Sequence, residues 1–166
     1  MAYLAPHLPV METELLAAAL DDAASACARH GTRLTPVRRE VLSLILSAER
    51  PVGAYDLLAR LRDGRTAAPP TVYRALDFLV AEGLVHRLER LAAYVGCRHR
   101  HDDEDAHAAQ FLICAECGRV TELDDPAIVA ALREAGTRAG FTFRSATVEA
   151  AGLCAGCEGQ GARGST

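Results

Sequence analysis

Residues 85–122 read VHRLERLAAYVGCRHRHDDEDAHAAQFLICAECGRVTE, and three kinds of metal ligand are packed into them between two halves of the chain that are built differently. Cys114 and Cys117 form a C-x-x-C pair whose mate is a second pair, Cys154 and Cys157, after thirty-six intervening residues. A four-cysteine site needs thiolates at about 2.3 Å around a tetrahedral ion, and a C-x-x-C turn presents two of them side by side. Gly118 and Gly156 stand beside the two knuckles, where they help the backbone turn tightly. The expectation is one structural zinc that staples a small C-terminal domain, its binding coupled to that domain's folding. A redox dithiol or two unrelated thiol pairs is the alternative, because the gap exceeds the usual ribbon spacing.

His86, Cys97, His107 and Glu122 are left over on both sides of the first pair, a mixed nitrogen, sulfur and oxygen set. Each taken singly is more often a solvated or hydrogen-bonded residue than a ligand. Their placement argues for a second metal site with a different job. His86 and Cys97 fall on two strands of one expected hairpin, His107 follows in a linker, and Glu122 lies five residues after Cys117. One ion held by all four would tie the two halves together. A thiolate, a carboxylate and two neutral imidazoles balance a divalent zinc ion. His99, His101, Asp103 and Asp105 would make a further weak site, with a plain charged loop as the simpler reading.

Outside this stretch the charge divides. From Ala23 to Arg100 there are thirteen arginines against seven acids, a net +6, and from His101 to Thr166 five against eleven, a net −6. A basic half joined to an acidic half suits a nucleic-acid-binding domain followed by one with another task. With 50% hydrophobic residues, 166 residues bury a real core as one domain or two small ones. No apolar run approaches the roughly 20 residues a bilayer span needs, so no membrane partner is expected. MAYLAPHLPVMETELLAAAL lacks a basic n-region and is broken by Pro6 and Pro9, unlike a secretory signal, so a cytoplasmic protein is expected. In a reducing compartment its six cysteines read as ligands or thiols.

The expected layout is an arm over 1–20, a DNA-binding domain over 21–97, a linker over 98–108, a second domain over 109–157 and a disordered tail over 158–166. A first helix is expected from Asp21 or Asp22 to His30, stopped by Gly31. Thr35 suits a cap and Pro36 the first position of a helix carrying Val37, Val41, Leu44, Ile45 and Leu46. Pro51 and Gly53 end it and admit another over Ala54 to Leu61, with Leu57, Leu58 and Leu61 inward and Gly64 as its stop. In TVYRALDFLVAEG, helical spacing puts Val72, Leu76, Leu79 and Val80 on one face and Arg74, Asp77 and Ala81 opposite. An outward arginine near a helix start is where a recognition helix presents a base-reading side chain; a solvated arginine is the other reading. LVHRLE and AYVGC alternate as two short strands, and helices followed by such a hairpin describe a winged helix. Beyond CRHRHDDEDAHAAQ, read as loop, FLIC and GRVTEL are β-like. A helix starts at Asp125 and Pro126 and ends at Gly140, and FTFRSATVEAAGLC makes a last strand.

RLTPVRREVL, AYDLL, PPTVYRALDFLVAEGLVHRLE, FLICAECGRVTEL and GLCAGC, spanning most of residues 33 to 157, resemble the ferric uptake regulators and specifically their zinc uptake branch. The resemblance implies an α+β chain with an N-terminal winged-helix DNA-binding domain and a C-terminal α/β dimerisation domain with a structural zinc site. It further implies a homodimer that binds inverted-repeat operator DNA when its regulatory site is filled and represses metal-uptake genes. On that resemblance Cys114, Cys117, Cys154 and Cys157 match the structural zinc ligands. His86, Cys97, His107 and Glu122 match the regulatory ones, making two zinc ions per subunit. Tyr55 and Arg74 match DNA-contacting positions. The iron and peroxide branches place a histidine and aspartate cluster just before the first C-x-x-C; here Ala108, Ala109, Gln110 and Phe111 stand there, which favours zinc.

A relative sensing iron, manganese or nickel is the nearest rival. A zinc enzyme is disfavoured because the deaminase pattern needs H-x-E ahead of P-C-x-x-C, which neither pair has, and because four ligands leave no position for water. No catalytic residue and no small organic substrate are expected. A zinc-ribbon interaction module leaves Arg74 and the basic half without a role.

Overall fold

The structure, a computed structural model, describes residues 13–62, 68–97, 107–142 and 145–161. It divides into an N-terminal unit, His7–Arg98, and a C-terminal unit built from His99–Thr166. The expectations at Gly64, His99, His101, Asp103 and Asp105 lie outside the described residues, as do 1–12 of the arm and 162–166 of the tail.

Helix α1 spans Thr13–Arg29, with Glu14 in its first turn and Arg29 in its last, both complementary to the helix dipole. It starts earlier than the expected Asp21, so residues 13–20 are helix and not arm. Leu16 and Leu20, one turn apart, extend the stripe of Ala23 and Cys27 onto the core, and that burial outweighs the lack of a strong start signal. Gly31, at φ +73°, stops the helix. Helix α2 is Pro36–Leu46, with Pro36 in the first turn after Thr35. Thr35 has the extended N-cap backbone, but its side chain makes no cap bond, which corrects the capping role expected for it. A two-residue strand β1, Val52–Gly53, precedes α3, Ala54–Arg62, whose Leu57, Leu58 and Leu61 are buried as expected.

Helix α4, Pro69–Ala81, starts on two prolines whose missing N–H groups cost nothing in a first turn. Val72, Ala75, Leu76 and Leu79 are buried, whereas Val80, expected inward, is 40% exposed. At about 100° per residue Val80 falls about 80° from Val72, at one edge of the stripe, whereas the buried Ala75 falls about 60° from it on the other side. Gly83, at φ +68°, turns the chain, and Leu84 N–H bonds Leu79 C=O at 2.9 Å. The wing follows: β2 is Val85–Leu88, a single 3-10 turn covers Glu89–Leu91, and β3 is Ala93–Gly96. The sheet order is β1-β3-β2, antiparallel throughout. A side chain at position 96 would run into Leu46, so glycine there lets β3 approach α2 closely. Four helices and this sheet enclose one apolar cluster centred on Val41, Leu42, Leu57, Val72, Leu76 and Leu79.

The C-terminal unit is a three-stranded sheet in the order β5-β4-β6, with β4 at His107–Cys114, β5 at Val120–Leu123 and β6 at Ser145–Gly152. β4 pairs antiparallel with β5 and parallel with β6. The parallel pair needs a crossover, supplied by helix α5, Pro126–Arg138. Asp125 caps α5 by accepting from Ala127 N–H at 2.8 Å, and Gly140 at φ +69° follows its end. Several boundaries differ from expectation, and Phe141 and Thr142, expected in the last strand, lie outside it. The linker of 98–108 gives way to strand already at His107, because β6 offers a distant partner that a polar segment does not advertise. The tail of 158–166 is not disordered from its start: Ala155–Gly161 forms helix α6.

Candidate metal centre and nucleic-acid interface

The β4/β6 register assembles the first site. Cys114 pairs with Gly152 in parallel, so both strands deliver their cysteine pairs to the same end of the sheet. After Cys114 the chain folds back, with Gly118 N–H on Cys114 C=O at 3.0 Å and Cys114 N–H on Arg119 C=O at 2.8 Å. Gly118 takes φ +68°, a conformation costly for other residues. The second knuckle is built otherwise than expected. Cys157 N–H and Glu158 N–H both bond Cys154 C=O, at 2.8 and 2.9 Å, so the pair opens α6 and Gly156 lies within a helical turn at negative φ.

The four sulfurs converge to within 4.8 Å of one another, the one such cluster of potential ligands found among the described residues. Cys117 Sγ and Cys154 Sγ are 3.8 Å apart. Zn–S bonds of about 2.3 Å in a tetrahedron require sulfur pairs about 3.8 Å apart, so the donor set and its spacing fit zinc. None of the four is in a disulfide. Backbone N–H groups point at the sulfurs: Cys154 N–H lies 3.4 Å from Cys114 Sγ. The N–H groups of Cys117 and Cys154 bring the Cys114 thiol down to about 6, while sulfur neighbours Cys154 and Cys117 push Cys157 up to about 12. Cys154 is lowered by the N–H of Cys157. Thiolate is thereby favoured at Cys114 and Cys154, and a divalent cation held there would supply charge that stabilises thiolate at the others.

Of the mixed set, the hairpin carries two. His86 faces Val95 across β2 and β3, and Cys97 N–H bonds Leu84 C=O at 3.0 Å just beyond β3. Alternation then places His86 and Cys97 on the same face of the hairpin, one diagonal apart, and both are half-buried. In the C-terminal unit His107 is the first residue of β4, paired with Ser145, and the half-buried Glu122 on β5 pairs with Phe111.

On the N-terminal unit Arg74 and Asp77 are exposed on α4, and Tyr55 at the start of α3 is 81% exposed. The Arg38 guanidinium lies over the Phe78 ring at 3.5 Å from its centroid, bracing α2 on α4. His30 Nδ1 and Glu82 Oε2, 3.1 Å apart, tie the residue after α1 to the end of α4.

One supporting residue escaped sequence reasoning. Gln110, 1% exposed on β4, donates through Nε2 to Asp125 C=O at 2.9 Å and accepts from Asp125 N–H at 3.4 Å. It clamps the start of α5 to the central strand. The signal was a lone amide next to the apolar run FLIC.

Residues 29–151 match the model of the Ferric uptake regulator family. The zinc uptake regulation protein of Escherichia coli (strain K12) is 42% identical over 139 residues, which are 83% of this chain and 80% of that protein. The ferric uptake regulation protein of the same strain is 29% identical over 138 residues, 82% of this chain and 90% of that protein. Among solved structures, a zinc uptake regulator complexed with zinc and DNA is similar at a TM-score of 0.78 and 38% identity, covering 92% of this chain and 99% of that one. With the winged helix, the two cysteine knuckles and these matches together, the chain belongs to the ferric uptake regulator family.

Proposed function

We propose that this protein is a zinc-responsive transcriptional repressor of zinc-uptake genes, acting in the cytoplasm as a homodimer on inverted-repeat operator DNA and catalysing no reaction. One observation carries the reading: a winged helix with an outward Arg74 and a four-thiol cluster stand in one chain that is 42% identical to a zinc uptake regulation protein. Two zinc ions per subunit have different tasks. Cys114, Cys117, Cys154 and Cys157 hold the structural one and join β4 to the start of α6. His86, Cys97, His107 and Glu122 hold the regulatory one, whose chemistry when bound is a coordination cross-link between the two units. The shared hairpin face of His86 and Cys97 supports this assignment.

The response follows from ligand placement. His86 and Cys97 belong to the wing that ends the DNA-binding unit, and Glu122 to the sheet of the other unit. Fixing wing to sheet restricts the orientations of α4, so a dimer meets two half-sites about 34 Å apart, or a multiple, at lower entropic cost. Arg74 then reads a base edge, and Tyr55 at the start of α3 adds a second contact.

The test is operator binding across buffered free zinc, with iron, manganese and nickel in parallel, on a fragment carrying an inverted repeat. Binding that zinc switches on and chelation switches off is expected. Zinc-independent binding, or a response to another ion alone, overturns the reading.

A further inference from the structure

Pro70, Arg74, Asp77 and Ala81 are all exposed on α4, at spacings of four, three and four residues. That spacing is one continuous stripe, diametrically opposite the buried Val72, Leu76 and Leu79. Pro70 and Ala81 offer no side-chain hydrogen bond, so polar recognition along the stripe rests on Arg74 and Asp77. They are also the two charged residues of the helix, PPTVYRALDFLVA.

We infer that Asp77 is a second base-reading residue of α4, accepting the exocyclic amino group of a cytosine beside the base pair that Arg74 reads. The inference rests on the regulator reading above and deepens it.

A carboxylate has acceptors only. Facing the major groove, it accepts from cytosine N4 or adenine N6 and is repelled by guanine O6 and N7 and by thymine O4. It is also repelled by phosphates, so an acid in the middle of a DNA-facing stripe weakens binding to every sequence that offers it no amino group. Such a residue selects by rejection as much as by attraction. Its position along the helix matches the DNA step: three residues advance about 4.5 Å, close to one base-pair rise of about 3.4 Å. On the wing side, Asp77 and Arg87 lie close enough to Tyr94 of β3 for both charges to act on its phenol. Asp77 therefore shares with Arg74 the exposed face of α4 that a docked duplex would cover.

The experiment uses the full-length zinc-loaded protein. An operator is selected from a random duplex pool by the wild type at buffered free zinc, and every single base-pair variant of one half-site is then titrated. The wild type, Asp77→Ala, Asp77→Asn and Arg74→Ala are compared; both Asp77 changes are on an exposed position and leave the core intact. At one position adjacent to that where Arg74→Ala loses its preference, the wild type should favour cytosine by about tenfold or more. Asp77→Ala should erase that preference at that position alone, and Asp77→Asn should move it to adenine, which an amide meets with both its groups. Tighter binding of Asp77→Ala to all sequences alike, with preferences unchanged, would show Asp77 to be a surface acid and overturn the inference. Loss of preference at the Arg74 position would overturn it too, making Asp77 a support for Arg74. A wild type that selects no sequence in a zinc-dependent way would sink the regulator reading itself, an outcome separate from any result on Asp77 obtained with a selective wild type.

Discussion

At the scale of single residues, side chains with similar exposure have different tasks. Arg74 is held outward by a helix whose opposite face is sealed in the core, so its guanidinium is presented and its backbone is rigid. Arg74→Ala should cost about 1–3 kcal/mol of operator affinity and relax preference at one base pair, read by titrating operator variants. A uniform loss over all sequences with a shallower salt dependence would mark a phosphate contact instead. Cys97 sits at the end of the wing, where its thiol serves neither the core nor the four-cysteine cluster. Cys97→Ser should leave the protein folded with one zinc per subunit, measured by metal analysis, and abolish the rise of operator affinity with free zinc. A full zinc response in that variant would remove Cys97 from the regulatory set.

Secondary-structure elements carry the staple. Because β4 and β6 run parallel and the cysteines follow their ends, neither knuckle alone makes a site. Cys117→Ser should strip the structural zinc and destabilise the C-terminal unit, lowering its melting temperature and dispersing the dimer, since binding and folding are coupled there. A zinc-free variant that remains a well-folded dimer would refute the staple. Cys114 sets a pH dependence in the metal-stripped protein. Its thiol is lowered from 9.0 to about 6 by backbone N–H groups, so the folded state favours the thiolate. That contribution is present above pH 9 and is lost as pH falls through about 6, while Cys157, pushed up to about 12, stays protonated across the window. The stability difference between the stripped wild type and Cys114→Ser should shrink from pH 9 to pH 5.5 in urea titrations. Gln110 joins elements differently, with both its amide groups on the backbone of Asp125. Gln110→Ala should destabilise the C-terminal unit by about 1–3 kcal/mol, because a fully buried side chain is truncated and its two hydrogen bonds to Asp125 are lost. The measurement is urea unfolding of the zinc-loaded protein.

For the whole molecule, linkage sets a test that no single site provides. If zinc raises operator affinity by some factor, operator DNA must raise zinc affinity by the same factor. Competition with a zinc chelator, with and without operator, should show that equality. Binding should also weaken at fixed free zinc as pH falls from about 8 toward 6, since Cys97 must lose a proton and both histidines must be neutral to ligate. An operator affinity flat over that range would count against these ligands.

Much of this was written locally in the sequence. Helical spacing over Val72, Leu76 and Leu79, the Asp125-Pro126 start and the glycine stops at Gly31 and Gly140 all depend on neighbours within one or two turns, and each is found where the pattern places it. The two C-x-x-C pairs pointed to a tetrahedral thiolate site with redox or unrelated thiols as the alternative, and the fold brings their four sulfurs together. What only the tertiary structure decided involves partners far apart in the chain. Thr13–Leu20 became helix because Leu16 and Leu20 found a core to cover, and His107 joined a strand because Ser145 lies beside it. Val80 stayed at the surface and Ala75, on the opposite margin of the stripe, was buried by the packed neighbours. Gln110 became a clamp through a bond fifteen residues along the chain. In each case a burial or hydrogen bond absent from the local sequence outweighed a weak local preference, and such preferences are worth less than about 1 kcal/mol per residue.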